Sequence, residues 1–218
     1  MNTLSVCAIP LAVGIVLASV GAAPAPPADP SARLVAIVKE MKSPDREVRL
    51  KAVGKLVHFE GGQELALPVL ANLREAMRDP EGDIRAVACT ATGNFREQAK
   101  PAVPDFVRLL RDPDKEVRQC AVRALGRVGE PAKPVLPDMA RSTQDEDPVV
   151  RVVAHAAMIR VGAPAAEHLP AVLKGLEDAS ALVRYKSAHC LEPLGGVAAP
   201  GVLKLGALLT DPDEKVRH

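Results

Sequence analysis

Aromatic side chains are nearly missing from this chain, which has no Trp, one Tyr and three Phe. A surface that grips single-stranded nucleic acid by stacking bases has little to be built from. Charge of one sign is also lacking: 28 Lys and Arg stand against 27 Asp and Glu, for a net charge of +1. With no global field, DNA, RNA and anionic membrane surfaces are disfavoured as partners. The four cysteines, Cys7, Cys89, Cys120 and Cys190, show no zinc-type spacing. Gly-x-Ser-x-Gly, P-loop and Gly-x-Gly-x-x-Gly patterns do not occur, so serine hydrolysis and nucleotide binding have no local support. What is abundant is Ala, Leu and Val, which carry most of an apolar fraction of 48% and suit closely packed helices.

The first residues differ from the rest. Leu4 to Val20 form an uncharged, mostly apolar run, Val20-Gly21-Ala22 has the small residues of a signal-peptidase site, and Ala23 to Pro30 is Pro-rich. Residues 1–22 therefore read as an export signal and 23–30 as a linker, with periplasmic or extracellular localisation expected. No Lys or Arg precedes the apolar run, so the alternative is an uncleaved N-terminal anchor, the one route to a membrane. Without the leader three cysteines remain. Cys89 falls on an apolar helical arc, whereas Cys120 and Cys190 fall nearer the exposed side, where they would report on redox state or a dimer.

From residue 31 onward one unit repeats. Val48-Arg49, Ile84-Arg85, Val117-Arg118, Val150-Arg151, Val183-Arg184 and Val216-Arg217 place arginines 36, 33, 33, 33 and 33 residues apart. A fixed period of this length means stacked supersecondary units, here 31–59, 60–95, 96–128, 129–161, 162–194 and a partial 195–218. In the third unit Pro101 and Pro104 start a helix with apolar Val103, Phe106, Val107, Leu109 and Leu110; Asp112-Pro113-Asp114 stops it. A second helix follows with Val117, Ala121, Val122 and Leu125 on one face. Small residues stand three after the arginine (Ala52, Ala88, Ala121, Ala154 and Ser187), and Gly129, Gly162 and Gly195 end three second helices.

Six residues before each arginine stands Ser43, Asp79, Asp112, Asp145, Asp178 or Asp211, a short acceptor suited to capping amides at a helix start. The arginines lie among apolar positions, and a guanidinium there needs a carboxylate or carbonyls. The aspartate of its own or an adjacent unit is the natural partner, which makes Arg49, Arg85, Arg118, Arg151, Arg184 and Arg217 a structural ladder rather than a functional site.

The pattern Asp-Pro-Asp-x-x-Val-Arg-x-x-Ala-x-x-x-Leu-Gly, fullest at Asp112 to Gly126, resembles HEAT repeats, in particular the short phycobilisome-lyase-like class, over about residues 31–218. The resemblance implies an all-α, right-handed α-solenoid of about five and a half helix-turn-helix repeats, with second helices lining the concave surface. Unit two carries three extra residues, so its first helix should be longer. The chain stops as a sixth second helix begins, so the helix Pro200 to Leu209 caps the array, a partner covers it, or the chain is a terminal fragment of a larger HEAT-repeat protein.

In an array, what repeats is scaffold and what varies on one face is where recognition is expected. Positions opposite the apolar arc of the second helices do vary, and the candidate partner-binding ridge is Lys51, His58, Asn94, Gln119, Arg123, Arg127, Val152, Val153, Arg160, Tyr185, Lys186 and His189. None of the twenty positions on that face is acidic, although 27 of 218 residues are. An acidic protein or peptide is the expected partner, with arginines pairing carboxylates and Val152, Val153 and Tyr185 giving apolar contact.

Catalysis has little to start from. His155 sits on the buried arc, His58 and His189 are units apart, and Glu167-His168 has neither the order nor the place of the His-Glu pairs in iron-binding HEAT-repeat hydroxylases. No metal, cofactor or catalytic residue is expected. The one enzyme class that the resemblance raises is a chromophore lyase or its accessory subunit, by analogy of fold alone.

Overall fold

A computed structural model describes residues 29–57 and 62–217, so the leader, Cys7, His58 and His218 lie outside the described residues. Twelve α-helices are described: α1 (Pro30–Met41), α2 (Arg46–Leu56), α3 (Gly62–Ala76), α4 (Gly82–Gly93), α5 (Val103–Leu109), α6 (Lys115–Val128), α7 (Leu136–Ala140), α8 (Pro148–Val161), α9 (Ala165–Gly175), α10 (Ala181–Leu191), α11 (Val202–Leu208) and α12 (Glu214–Arg217). No strand occurs among the described residues.

The units are asymmetric in a way that composition explains. Three second helices start on an aspartate cap: Asp45 accepts from the amides of Glu47 and Val48, Asp114 from Glu116, and Asp147 from Val149 and Val150, whereas α4 and α10 start at Glu81 and Ser180 without a side-chain cap. First helices are prefaced by 3-10 turns at Arg96–Ala102, Glu130–Val135 and Glu192–Gly201, each containing prolines that withhold amides from the α-helical ladder. The third unit's first helix thus begins as a 3-10 segment and becomes α-helical only at Val103. The unit with the extra residues has the longest helix, α3, at 15 residues. Gly129 and Gly162 leave their second helices at φ of 74° and 111°, as expected, but Gly195 does not end one: α10 stops at Leu191 and Gly195, at φ 56°, kinks the 3-10 segment that follows.

The second helices stack in series, α2 on α4, α4 on α6, α6 on α8, α8 on α10 and α10 on α12, with the first helices forming the other layer. The approach is tightest at α4–α6–α8. A Cβ on Gly93 would lie 3.0 Å from the Ala124 Cβ, and one on Gly126 would lie 2.9 Å from the Ala157 Cβ. Ala52, Ala88, Ala121, Ala154 and Ser187 are all fully buried, which lets the layers close. The core runs continuously from Leu34 to Val216 instead of gathering at one centre.

The short acceptors do not cap the second helices themselves. Ser43, Asp79, Asp112, Asp145, Asp178 and Asp211 each accept the amide two residues on, fixing the turn just before the helix. Each repeating arginine then ties down that turn: Arg118 Nη1, for instance, donates to the carbonyls of Asp112 and Pro113 at 3.0 and 3.2 Å. The other side of the guanidinium reaches the next unit. Arg49 meets Asp79, Arg85 meets Asp112, Arg118 meets Asp145 and Arg184 meets Asp211, each by two bonds with Nε–Oδ2 of 2.7 to 2.8 Å.

The ladder has one open rung, where sequence periodicity predicts a closed one. Arg151 keeps its bonds to the carbonyls of Asp145 and Glu146, but among the described residues it makes no ion pair, and the Asp178 carboxylate accepts only from the Ser180 amide. A cavity of about 250 Å³ lies there, lined by both Arg151 and Asp178. Arg217 likewise holds the carbonyls of Asp211 and Pro212. Another inter-unit tie has no counterpart in the repeat: Asp105, 3% exposed, binds Arg74 at 2.6 Å and Arg78 at 3.2 Å. At the last units α11 leaves Leu203 89% exposed, so it lacks the polar outer face of a cap.

Candidate functional site

The varying face of the second helices is not uniform. Lys51 is exposed on α2 and does not line the cavity of about 360 Å³ that α6, α8 and α10 together form. Its wall includes Gln119, Arg123 and Arg127 from α6, Val153 and Arg160 from α8, and Lys186 and His189 from α10. These seven come from the ridge expected from sequence. The helical period places them on one face, and the inter-unit stacking brings three helices' worth together.

Four ridge positions behave differently from expectation. Val152 is buried beneath α9, its Cγ2 3.1 Å from where a Cβ on Gly175 would stand, so it offers nothing to a partner. Val153 is 5% and Gln119 8% exposed; both form the floor rather than a contact ridge. The angular estimate errs here because close inter-helix packing buries more of each helix than the apolar arc alone. Tyr185 lines a different cavity, between α10 and α12, where its ring stacks on His189 and lies 5.7 Å from the Lys186 ammonium.

Sequence reasoning overlooked Arg96. It lies in the 3-10 turn after α4, off every second-helix wheel, yet its side chain lines the cavity beside Arg123, Arg127 and Arg160. The available signal was an arginine directly following the α4 terminus at a unit boundary. Arg123 donates to Thr90 Oγ1 at 3.3 Å and Arg127 to Asn94 Oδ1 at 2.6 Å, neutral acceptors in both cases. Asn94 in turn donates to the Val57 carbonyl at 3.2 Å, so it braces Arg127 across units. Among the described residues none of the four arginines is ion-paired with a carboxylate. Glu192 also lines the cavity, but its carboxylate is turned to His189, at 3.8 Å.

The electrostatics follow. Half-burial, and then the neighbouring Arg123, Arg160 and Arg96, push the Arg127 guanidinium below its ordinary value. Burial and Arg96 do the same to Arg160. Burial also pushes the Cys190 thiol at the cavity wall up to about 11, so it stays protonated at neutral pH and is a poor redox reporter. Cys89 is wholly buried, and burial raises its thiol well above its ordinary value.

Among the described residues no group of three or more His, Cys, Asp or Glu could hold a metal ion, and no helix is long and apolar enough to cross a membrane. One histidine contact escaped the sequence reading. His155 is only half-buried, and its Nδ1 lies 3.1 Å from Nδ1 of His168 across α8 and α9.

A family model described as HEAT repeats matches residues 70–147. The fold is similar to that of an engineered protein (TM-score 0.51, 20% identity, covering 84% of this chain and 92% of that one). It is similar to a second engineered protein (TM-score 0.51, 21% identity, 86% and 56% covered). A designed armadillo repeat protein in complex with the peptide (KR)4 gives a TM-score of 0.49 at 20% identity, with 84% and 95% covered. No curated protein matches the chain.

Proposed function

We propose that this array of HEAT-type repeats is a non-catalytic interaction scaffold that holds an acidic protein segment on the face of its second helices. One observation carries the reading: arginines that serve the fold are matched to carboxylates or carbonyls, whereas Arg96, Arg123, Arg127 and Arg160 gather in one cavity with no carboxylate partner among the described residues. A cluster of like charges is unfavourable unless an anion completes it. The leader read in residues 1–22 assigns this work to the exported fraction.

Fluorescence anisotropy with labelled Asp/Glu-rich, Ser-rich and Lys-rich peptides tests the reading. The acidic peptide should bind, weaken with added salt, and be lost on combining Arg123→Glu, Arg127→Glu and Arg160→Glu. Equal binding by the combined variant would overturn it. Incubation with a linear tetrapyrrole and a thiol acceptor should yield no covalent coloured adduct; an adduct would favour the lyase alternative.

A further inference from the structure

Arg96 is the only non-glycine residue with positive φ among the described residues, at 53°. That conformation costs an L residue free energy, and nothing in the side chain's own bonding offsets it, since it makes no hydrogen bond or ion pair among the described residues. What it does achieve is placement: the guanidinium comes to the wall of the cavity on α6, α8 and α10. Arg160 is half-buried and equally without a partner among the described residues. Both therefore bring all their side-chain N–H donors to the cavity unused, and Arg123 and Arg127 spend theirs only on neutral groups.

We propose that this cavity is a recognition site for a phosphoryl monoester group. The proposal rests on the second-helix face being the binding surface and specifies the anion it selects. A carboxylate brings one charge and two oxygens, too little for four guanidiniums. A phosphoryl monoester brings about −1.5 to −2 charges and three terminal oxygens, whose several lone pairs can accept N–H bonds from more than one guanidinium. Half-burial strengthens such bonds by excluding water, and is the same burial that disfavours the empty, charged cluster. Val153, Ala156 and Ala157 provide an apolar floor for the carbon stem that carries the group. The volume of about 360 Å³ holds such a group with its stem.

Isothermal titration of the full chain with a phosphoserine heptapeptide, its Ser and Glu counterparts, and inorganic phosphate tests the assignment. The phosphoserine peptide should bind at one site at least about tenfold tighter than either counterpart, and R96Q and R160Q should each weaken it about tenfold. K39Q, exposed on α1 in the other layer, should leave it unchanged. Inorganic phosphate should compete. Competition as strong as the peptide's own affinity would identify small phosphate esters as the source, and a much tighter peptide would identify a phosphorylated protein. A Glu peptide binding as tightly as the phosphoserine peptide would overturn the phosphoryl assignment and leave the acidic-partner reading standing. No binding of any probe would remove both. Binding indifferent to R96Q and R160Q would place the anion elsewhere and overturn the proposal.

Discussion

Two sets of arginines in this molecule have opposite surroundings. In the ladder, hydrogen bonds donated to Asp79, Asp112, Asp145 and Asp211 hold the guanidiniums of Arg49, Arg85, Arg118 and Arg184 above their ordinary value. In the cavity, burial and neighbouring arginines hold Arg127 and Arg160 below theirs. The first set lowers the free energy of the fold and repeats with the unit. The second set is burdened by burial and like charge, and only Arg127 and Arg160 in it are repeat-related, one period apart, a pattern that stability alone does not explain.

Breaking the paired set should have the largest effect. Arg118→Ala leaves Asp145, only 10% exposed in its side chain, without its cation, and strips the Asp112 and Pro113 carbonyls of their donor. A loss of about 3 kcal/mol or more is expected from urea denaturation. Forcing apart the helices that carry the cavity comes next. Gly126→Ala places a methyl 2.9 Å from the Ala157 Cβ and 3.0 Å from its Cα, backbone that cannot rotate away. Destabilisation of about 1–3 kcal/mol is expected. The contrasting change is Gly54→Ala in α2, with nothing within 4 Å, which should raise stability by about 0.5–1 kcal/mol.

Breaking the unpaired set should act in the other direction. Arg160→Gln removes one of the mutually repelling cations and should raise the melting temperature at low salt, by the equivalent of under about 1 kcal/mol. Added salt should narrow the gap, because it screens the same repulsion in the parent. A lower melting temperature for R160Q at every salt concentration would mean that the cavity arginines are structural after all.

The smallest effect concerns His155, whose imidazole is held below its ordinary value by burial first and His168 second. The fold therefore favours the neutral ring, and the unfolded chain takes the proton first as pH falls. Stability is complete above the unfolded value of about 6.5 and declines as pH drops from there toward the folded value. Urea midpoints between pH 7 and 5 should decline less in His155→Asn than in the parent.

The ladder and the cavity also differ in how far they could be read in advance. Six Val/Ile-Arg pairs in register, the aspartates before them and the glycines after them disclose the helical repeat, because local periodicity and turn chemistry act within one unit. The same pattern predicts a rung at Arg151 and Asp178 that is open, since pairing depends on how two units sit. The ridge from Arg123 to His189 was legible as a face. Its depth was not, because burial of Val152, Val153 and Gln119 is decided by the neighbouring unit.

By itself, then, the sequence determined the unit, its period, its buried stripe and the face on which residues vary, all of which depend on contacts within about one helical turn or on a fixed period. Only the tertiary structure decided that four arginines from a turn and two helices share one cavity while Tyr185 and Val152 do not. The physical reason is that the rotation and spacing between neighbouring units come from side-chain packing such as Gly126 on Ala157, which no single unit encodes.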